Sequence, residues 1–185
     1  MNNKKLLMMV EIAIFAAIGL VLDQFSFKLW AQGGSISLAM VPIVLIAFRW
    51  GTVPGLVTGF LVGALQAMFG GYILTPLQGF IDYFFAYTAV GLAGIIRNQL
   101  LSASKEGKRN QMVAYMTLGT LVGGLARYIA HTVAGVVFFA EYAGKQNVYL
   151  YSIIYNGSYM IPDIILTIIV AALLFTTAPR LLEHK

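Results

Sequence analysis

Asp82, Arg127, His131 and Asn156 are the residues of this sequence that promise chemistry, because each sits within an apolar stretch. Ionisable groups inside membrane-length apolar segments are costly and mark ligand or ion sites by default. Arg127 and His131 are four residues apart and therefore share one face of a helix. Aromatic rings crowd the same stretches: Tyr72, Tyr83 next to Asp82, Phe138 and Phe139, then Tyr149, Tyr151, Tyr155 and Tyr159. Aromatic faces attract flat rings and cations. A carboxylate at low dielectric adds a preference for positive charge. The Asn156 amide and the His131 imidazole offer hydrogen bonds to a heterocycle edge. The set implies a pocket for a flat, cationic or nitrogen-rich aromatic ligand. Two plainer readings compete with it: tyrosines as a membrane-interface belt, and Asp82 with Arg127 as a buried ion pair.

Catalysis finds little support. The chain has no cysteine, which removes disulfides, thiolate metal sites and thiol nucleophiles. There is no phosphate-binding G-x-x-x-x-G-K-[ST] motif and no His-x-x-Glu-His metal motif. Only two histidines occur, His131 and His184, so acid–base work would fall to His131 with Asp82 alone. The expectation is a protein that is not an enzyme and needs no cofactor or metal. The sequon Asn156-Gly157-Ser158 lies in an apolar helix and is no glycosylation site.

The elements that must position these residues are membrane helices. Hydrophobic residues make up 59% of the 185 and charged residues 10%, against about 25% charged in soluble domains; mean hydropathy is +0.82. Six apolar segments are candidates, at 6–24, 38–48, 53–69, 76–96, 111–140 and 149–178, the second short for a span. The chain is thus expected to be a single all-α domain, 1–185, of six transmembrane helices. The N-terminal run has Lys4 and Lys5 before it, as a signal peptide would, but it carries Glu11 and lacks a small-residue cleavage site, so it reads as a retained first helix. Turn residues separate the segments: Gln32-Gly33-Gly34-Ser35, Arg49-Trp50-Gly51-Thr52 before Pro54, Gly70-Gly71 before Pro76, a polar loop at 102–110 and another at 141–147.

With the N-terminus inside, nine of the twelve basic residues fall on the inner side: Lys4, Lys5, Arg49, Arg97, Lys105, Lys108, Arg109, Arg180 and Lys185. Lys28 and Lys145 fall outside, and Arg127 within the fifth helix. Both termini are therefore expected in the cytoplasm, and the net charge of +5 reads as a topology signal instead of a nucleic-acid footprint. In this orientation Asp82, His131 and Asn156 lie about 10, 13 and 12 Å from the outer helix ends at 1.5 Å per residue. Three helices thus bring polar groups to one level in the outer half of the membrane. Small residues recur every fourth position at Gly55, Gly59 and Gly63, at Gly119 and Gly123, and at Ala13 and Ala17, a spacing that lets helices approach closely in lipid. No internal repeat is visible, which argues against a self-sufficient secondary transporter built from two halves.

These segments, in this order, resemble the thiamine-specific substrate-binding (S) component of energy-coupling factor (ECF) transporters. The resemblance runs through 11–17, Pro42 to Gly51, Gly71-Tyr72-Ile73-Leu74, Phe80-Ile81-Asp82-Tyr83, Arg127 to His131, Ala134-Gly135, Phe138-Phe139, Tyr151-Ser152 and Tyr155-Asn156-Gly157. It implies a six-helix bundle in the plasma membrane, multi-pass and bacterial, that captures vitamin B1 outside the cell. It implies thiamine contacts at Tyr83, His131, Tyr151 and Asn156, with Tyr72 helping to cover the site. Asp82 stands where the family often has Glu, Phe139 where a Trp stacks on the ligand, and Arg127 where a Lys lies near the hydroxyethyl end. The loop 30–34 matches poorly, leaving Trp30 without a role. Ala13 and Ala17 match the family's Ala-x-x-x-Ala docking motif for a transmembrane coupling subunit, through which two separate ATPases supply energy. Membrane lipid is the surrounding partner, and nucleic acid is not one. The alternatives are an S component for another vitamin such as riboflavin, or a stand-alone carrier using Asp82 as a proton site.

Overall fold

The computed structural model describes residues 3–30 and 33–183. Gln32 of the expected first turn, and His184 and Lys185 at the end of the chain, lie outside the described residues. Six helices run through the described part: α1 (Asn3–Gln24), α2 (Met40–Trp50), α3 (Thr52–Phe69), α4 (Pro76–Lys105), α5 (Arg109–Phe138) and α6 (Val148–Thr177). All but α2 are long and apolar enough to cross a membrane. The short α2 compensates by burial. From Met40 to Phe48 only Leu45 is not fully buried, and α2 forms the centre of the core with Met116, Met160 and Phe175 from α5 and α6.

The expected boundaries hold within a few residues except at α4. That helix continues through Arg97 to Lys105 instead of stopping near residue 96, so the loop expected over 102–110 is shorter. A second departure is a small hairpin between α1 and α2. Strands β1 (Phe27–Trp30) and β2 (Gly33–Ile36) pair antiparallel, with Phe27 opposite Ile36, Lys28 opposite Ser35 and Trp30 opposite Gly33. Gly34 takes φ of 72° and lies close against the rings of Tyr155 and Tyr159, so a side chain there would be both strained and obstructed.

Small residues act inside the bundle. A Cβ on Gly55, Gly59 or Gly63 of α3 would run into the backbone of Gly91, Tyr87 or Tyr83 of α4, and Gly119 and Gly123 of α5 meet Ala93 and Val90 in the same way. Ala13 and Ala17 instead point outward on α1, among the exposed Met9, Val10, Ile14, Ile18 and Val21.

At the bundle end opposite the hairpin, Glu11 and Arg49 form an ion pair, Nε to Oε2 at 2.7 Å. Trp50 Nε1 donates to the same carboxylate at 2.6 Å. Arg49 Nη1 also donates to the carbonyls of Leu181 and Glu183, so α1, α2 and the chain after α6 are tied together there.

Candidate functional site

The helix ends near the hairpin surround a cavity of about 480 Å³, within the roughly 300–1,000 Å³ usual for small-molecule sites. Its wall includes all eight expected ligand residues: Tyr72, Asp82, Tyr83, Arg127, His131, Phe139, Tyr151 and Asn156.

The local structure of α4 explains how Asp82 and Tyr83 reach it. Thr75 caps the helix by accepting the Gln78 N–H at 3.1 Å, with Pro76 at the first position. One turn later the helix widens to a π-type turn over Phe80–Phe85, closed by the Ala86 N–H on the Ile81 carbonyl. In that turn residues five apart share a face, so Tyr87 joins Asp82 on the cavity wall. Gln78, 1% exposed, links the loop to the site. Its Oε1 accepts the Leu74 N–H at 2.8 Å, and its Nε2 donates to the Tyr72 carbonyl at 3.2 Å and to Asp82 Oδ2 at 2.7 Å.

The other carboxylate oxygen, Asp82 Oδ1, meets His131 Nδ1 at 2.7 Å. Arg127 Nε donates to His131 Nε2 at 3.2 Å. A guanidinium can only donate, so Nε2 is the acceptor and the single imidazole proton resides on Nδ1, facing Asp82. His131 is thereby held as the neutral tautomer, and both Asp82 oxygens act as acceptors. Arg127 is 4% exposed. Its Nη2 donates to the Tyr87 hydroxyl at 2.8 Å, and its Cζ lies 4.1 Å from the centre of that ring. Its carboxylate partner is Asp163, Nη1 to Oδ2 at 3.5 Å, so the buried Asp82–Arg127 ion pair, one of the two plainer readings, does not occur among the described residues.

Rings line the rest. Tyr151 and Tyr155 stack at 5.7 Å, Tyr159 sits edge-on to Tyr155 at 6.1 Å, and His131 sits edge-on to Tyr159 at 6.0 Å. Tyr72, Phe139 and Tyr142 form an outer aromatic group: Tyr72 and Phe139 are 6.3 Å apart, Phe139 and Tyr142 6.0 Å. The hydroxyls of Tyr72 and Tyr142 are 3.1 Å apart, and this contact raises the Tyr142 phenol above its ordinary value. The Tyr83 hydroxyl accepts the Tyr72 N–H at 2.6 Å, pinning the loop to α4. Asn156 is 4% exposed and internally bonded. It accepts from the Tyr159 hydroxyl at 2.6 Å and donates to the Ser152 carbonyl and hydroxyl at 2.9 and 3.1 Å. Gly135 leaves room for this pair, since a Cβ there would strike Ser152 Oγ.

A family model described as "Thiamine transporter protein (Thia_YuaJ)" matches residues 9–183. The chain belongs to the thiamine transporter family. The relative named thiamine transporter ThiT from Bacillus subtilis (strain 168) is 40% identical over 186 residues, covering 98% of this chain and 97% of its own. A thiamine transporter ThiT from Lacticaseibacillus paracasei is 35% identical over 189 residues, covering 100% and 94%. A solved structure of ThiT from Listeria monocytogenes superposes with a TM-score of 0.93 at 33% identity, covering 98% of this chain and 100% of that one. A structure described as the S component of a bacterial ECF transporter has the same fold at a TM-score of 0.62 and 20% identity, each chain fully covered. The thiamine transporter family is a family of membrane transporters, not of enzymes.

Against this family background, the cavity wall also contains Asp23, Lys28, Gln66, Gln78, Tyr87, Ser152, Tyr155 and Tyr159, which the sequence reading did not commit to. Tyr155 and Tyr159 were visible as a four-residue stripe with Tyr151. Gln78 stands four residues before Asp82, a helix-face signal that was available. Asp163, fully buried in α6, answers to the same intramembrane-charge criterion that singled out Asp82.

Proposed function

We propose that this chain captures thiamine at the outer face of a bacterial cell membrane and delivers it inward as the S component of an ECF transporter. The observation that carries the reading is the ring-lined cavity whose Asp82 carboxylate is oriented by Gln78 and a neutral His131. A thiazolium cation has its natural counter-charge in Asp82 at low dielectric. The aminopyrimidine finds stacking faces in Tyr151, Tyr155 and Phe139 and polar edges in Asn156 and His131. Tyr72 and Tyr142, joined through their hydroxyls, serve in this reading as the cover of the bound ligand. The whole chain works as one unit with both termini in the cytoplasm, consistent with the placement of its basic residues. The exposed Ala13/Ala17 face of α1 meets a transmembrane coupling subunit, with energy from two separate ATPases. Isothermal titration of the detergent-purified chain is the test: saturable one-to-one binding of thiamine with no binding of riboflavin is expected. A folded sample that does not bind thiamine rejects the function.

A further inference from the structure

We infer that Asp163 is a charge-balancing residue: by holding Arg127 from behind the cavity wall it reserves Asp82 for a cationic ligand. The inference rests on the thiamine reading above and adds a positioning residue to it. The cavity wall bears two carboxylates, Asp23 and Asp82, and two basic groups, Lys28 and Arg127. Without a further anion these would cancel, and a monocation would gain little. Asp163 is not on the wall, and its side chain is fully buried. It is placed on α6 directly behind Arg127 on α5, where Nη1 faces its Oδ2 at 3.5 Å. By formal count, three carboxylates against two basic groups leave one negative charge, which matches a monovalent cation.

The geometry directs Arg127 away from Asp82. Its Nη1 goes to Asp163, Nη2 to Tyr87, and Nε to the far nitrogen of His131. One imidazole ring therefore stands between the guanidinium and Asp82, and among the described residues Asp82 accepts from neutral donors alone, His131 Nδ1 and Gln78 Nε2. Asp163 Oδ1 is independently engaged, accepting the Ser37 N–H at 2.8 Å, which orients the carboxylate toward Arg127. A buried guanidinium deprived of Asp163 would seek the next carboxylate, because an unpaired buried charge is strongly disfavoured.

The test compares thiamine with its uncharged thiophene analogue on the full chain in detergent, as a ratio of affinities. Asp163→Asn keeps the shape and an acceptor for Ser37 but removes the charge. It is expected to lower the thiamine-to-analogue ratio at least tenfold. Arg127→Gln is expected to raise the ratio, and the double variant Arg127→Gln/Asp163→Asn to recover most of what Asp163→Asn alone loses. Equal weakening of both ligands in Asp163→Asn, or no recovery in the double variant, overturns the inference. If Asp163→Asn does not fold, the other two variants decide: a ratio unchanged or lowered in Arg127→Gln, or collapsed in the double variant, overturns it. Wild-type protein that binds neither ligand defeats the thiamine reading itself, a separate outcome from these.

Discussion

At the scale of single residues, Asp82 and its two supports, Gln78 and His131, set the character of the site. Replacing Asp82 by Asn removes the charge and leaves one accepting oxygen where the carboxylate has two, so either the Gln78 or the His131 contact is lost with it. Thiamine affinity is expected to fall about 100-fold, close to 3 kcal/mol at 1.4 kcal/mol per tenfold, with the uncharged analogue losing far less; titration of both ligands checks it. Gln78→Leu should cost about 1–3 kcal/mol of stability because three polar groups lose a buried partner. It should also speed thiamine release in stopped-flow fluorescence, since the Tyr72 loop is no longer held. Asp82, His131 and Asn156 were legible in the sequence because polar groups in apolar helices stand out. Which partner each would choose was not. Arg127 pairs with Asp163 across 36 sequence positions, a relation fixed by how α5 and α6 cross.

At the scale of elements, α3 and α4 show how packing sets the site. Gly59 and Gly63 let α3 lie directly on the α4 backbone at Tyr87 and Tyr83, so the glycine face positions two cavity residues. Gly63→Val should therefore lower the thermal midpoint in detergent and weaken thiamine binding together, because Tyr83 must move to admit the new side chain; overpacking of this kind costs roughly 1–3 kcal/mol. Gly70, outside any such contact, serves as the control: Gly70→Ala should leave the midpoint nearly unchanged. The spacing of the glycines was readable in the sequence, and so were five of the six helix extents. The hairpin was not, since its strand Gly33–Ile36 has glycines where a strand signal would need branched or aromatic residues. Nor was Tyr87, because a regular α-helix pairs Asp82 with position 86.

At the scale of the molecule, the bundle separates two ends of different chemistry. One end holds the cavity under the hairpin. The other holds the Glu11–Arg49–Trp50 cluster and the carbonyls of Leu181 and Glu183. The absence of native cysteine makes the sidedness easy to measure. A single cysteine at Gly144 should react with an impermeant maleimide on intact cells, and one at Gly107 only after permeabilisation; the reverse pattern would invert the proposed topology. Ala13→Trp/Ala17→Trp should leave thiamine titration of the isolated chain intact and abolish uptake in cells, because the bulk lies on the exposed face of α1 and far from the cavity. Loss of titratable binding as well would mean that this face packs within the protein.

The widened turn at Phe80–Phe85 has a consequence for inheritance. It holds one residue more than a regular helix would need there, and the flanking halves of α4 are phased around that surplus. Rewinding the turn with all of its residues kept would turn Asp82 by about 100° relative to Tyr87, whereas losing one residue would leave the two four apart on one face of a regular helix. Descendants of this gene can therefore shed one residue outside Asp82 and Tyr83 and keep the wall aligned, whereas a further insertion would swing the carboxylate away from Tyr87.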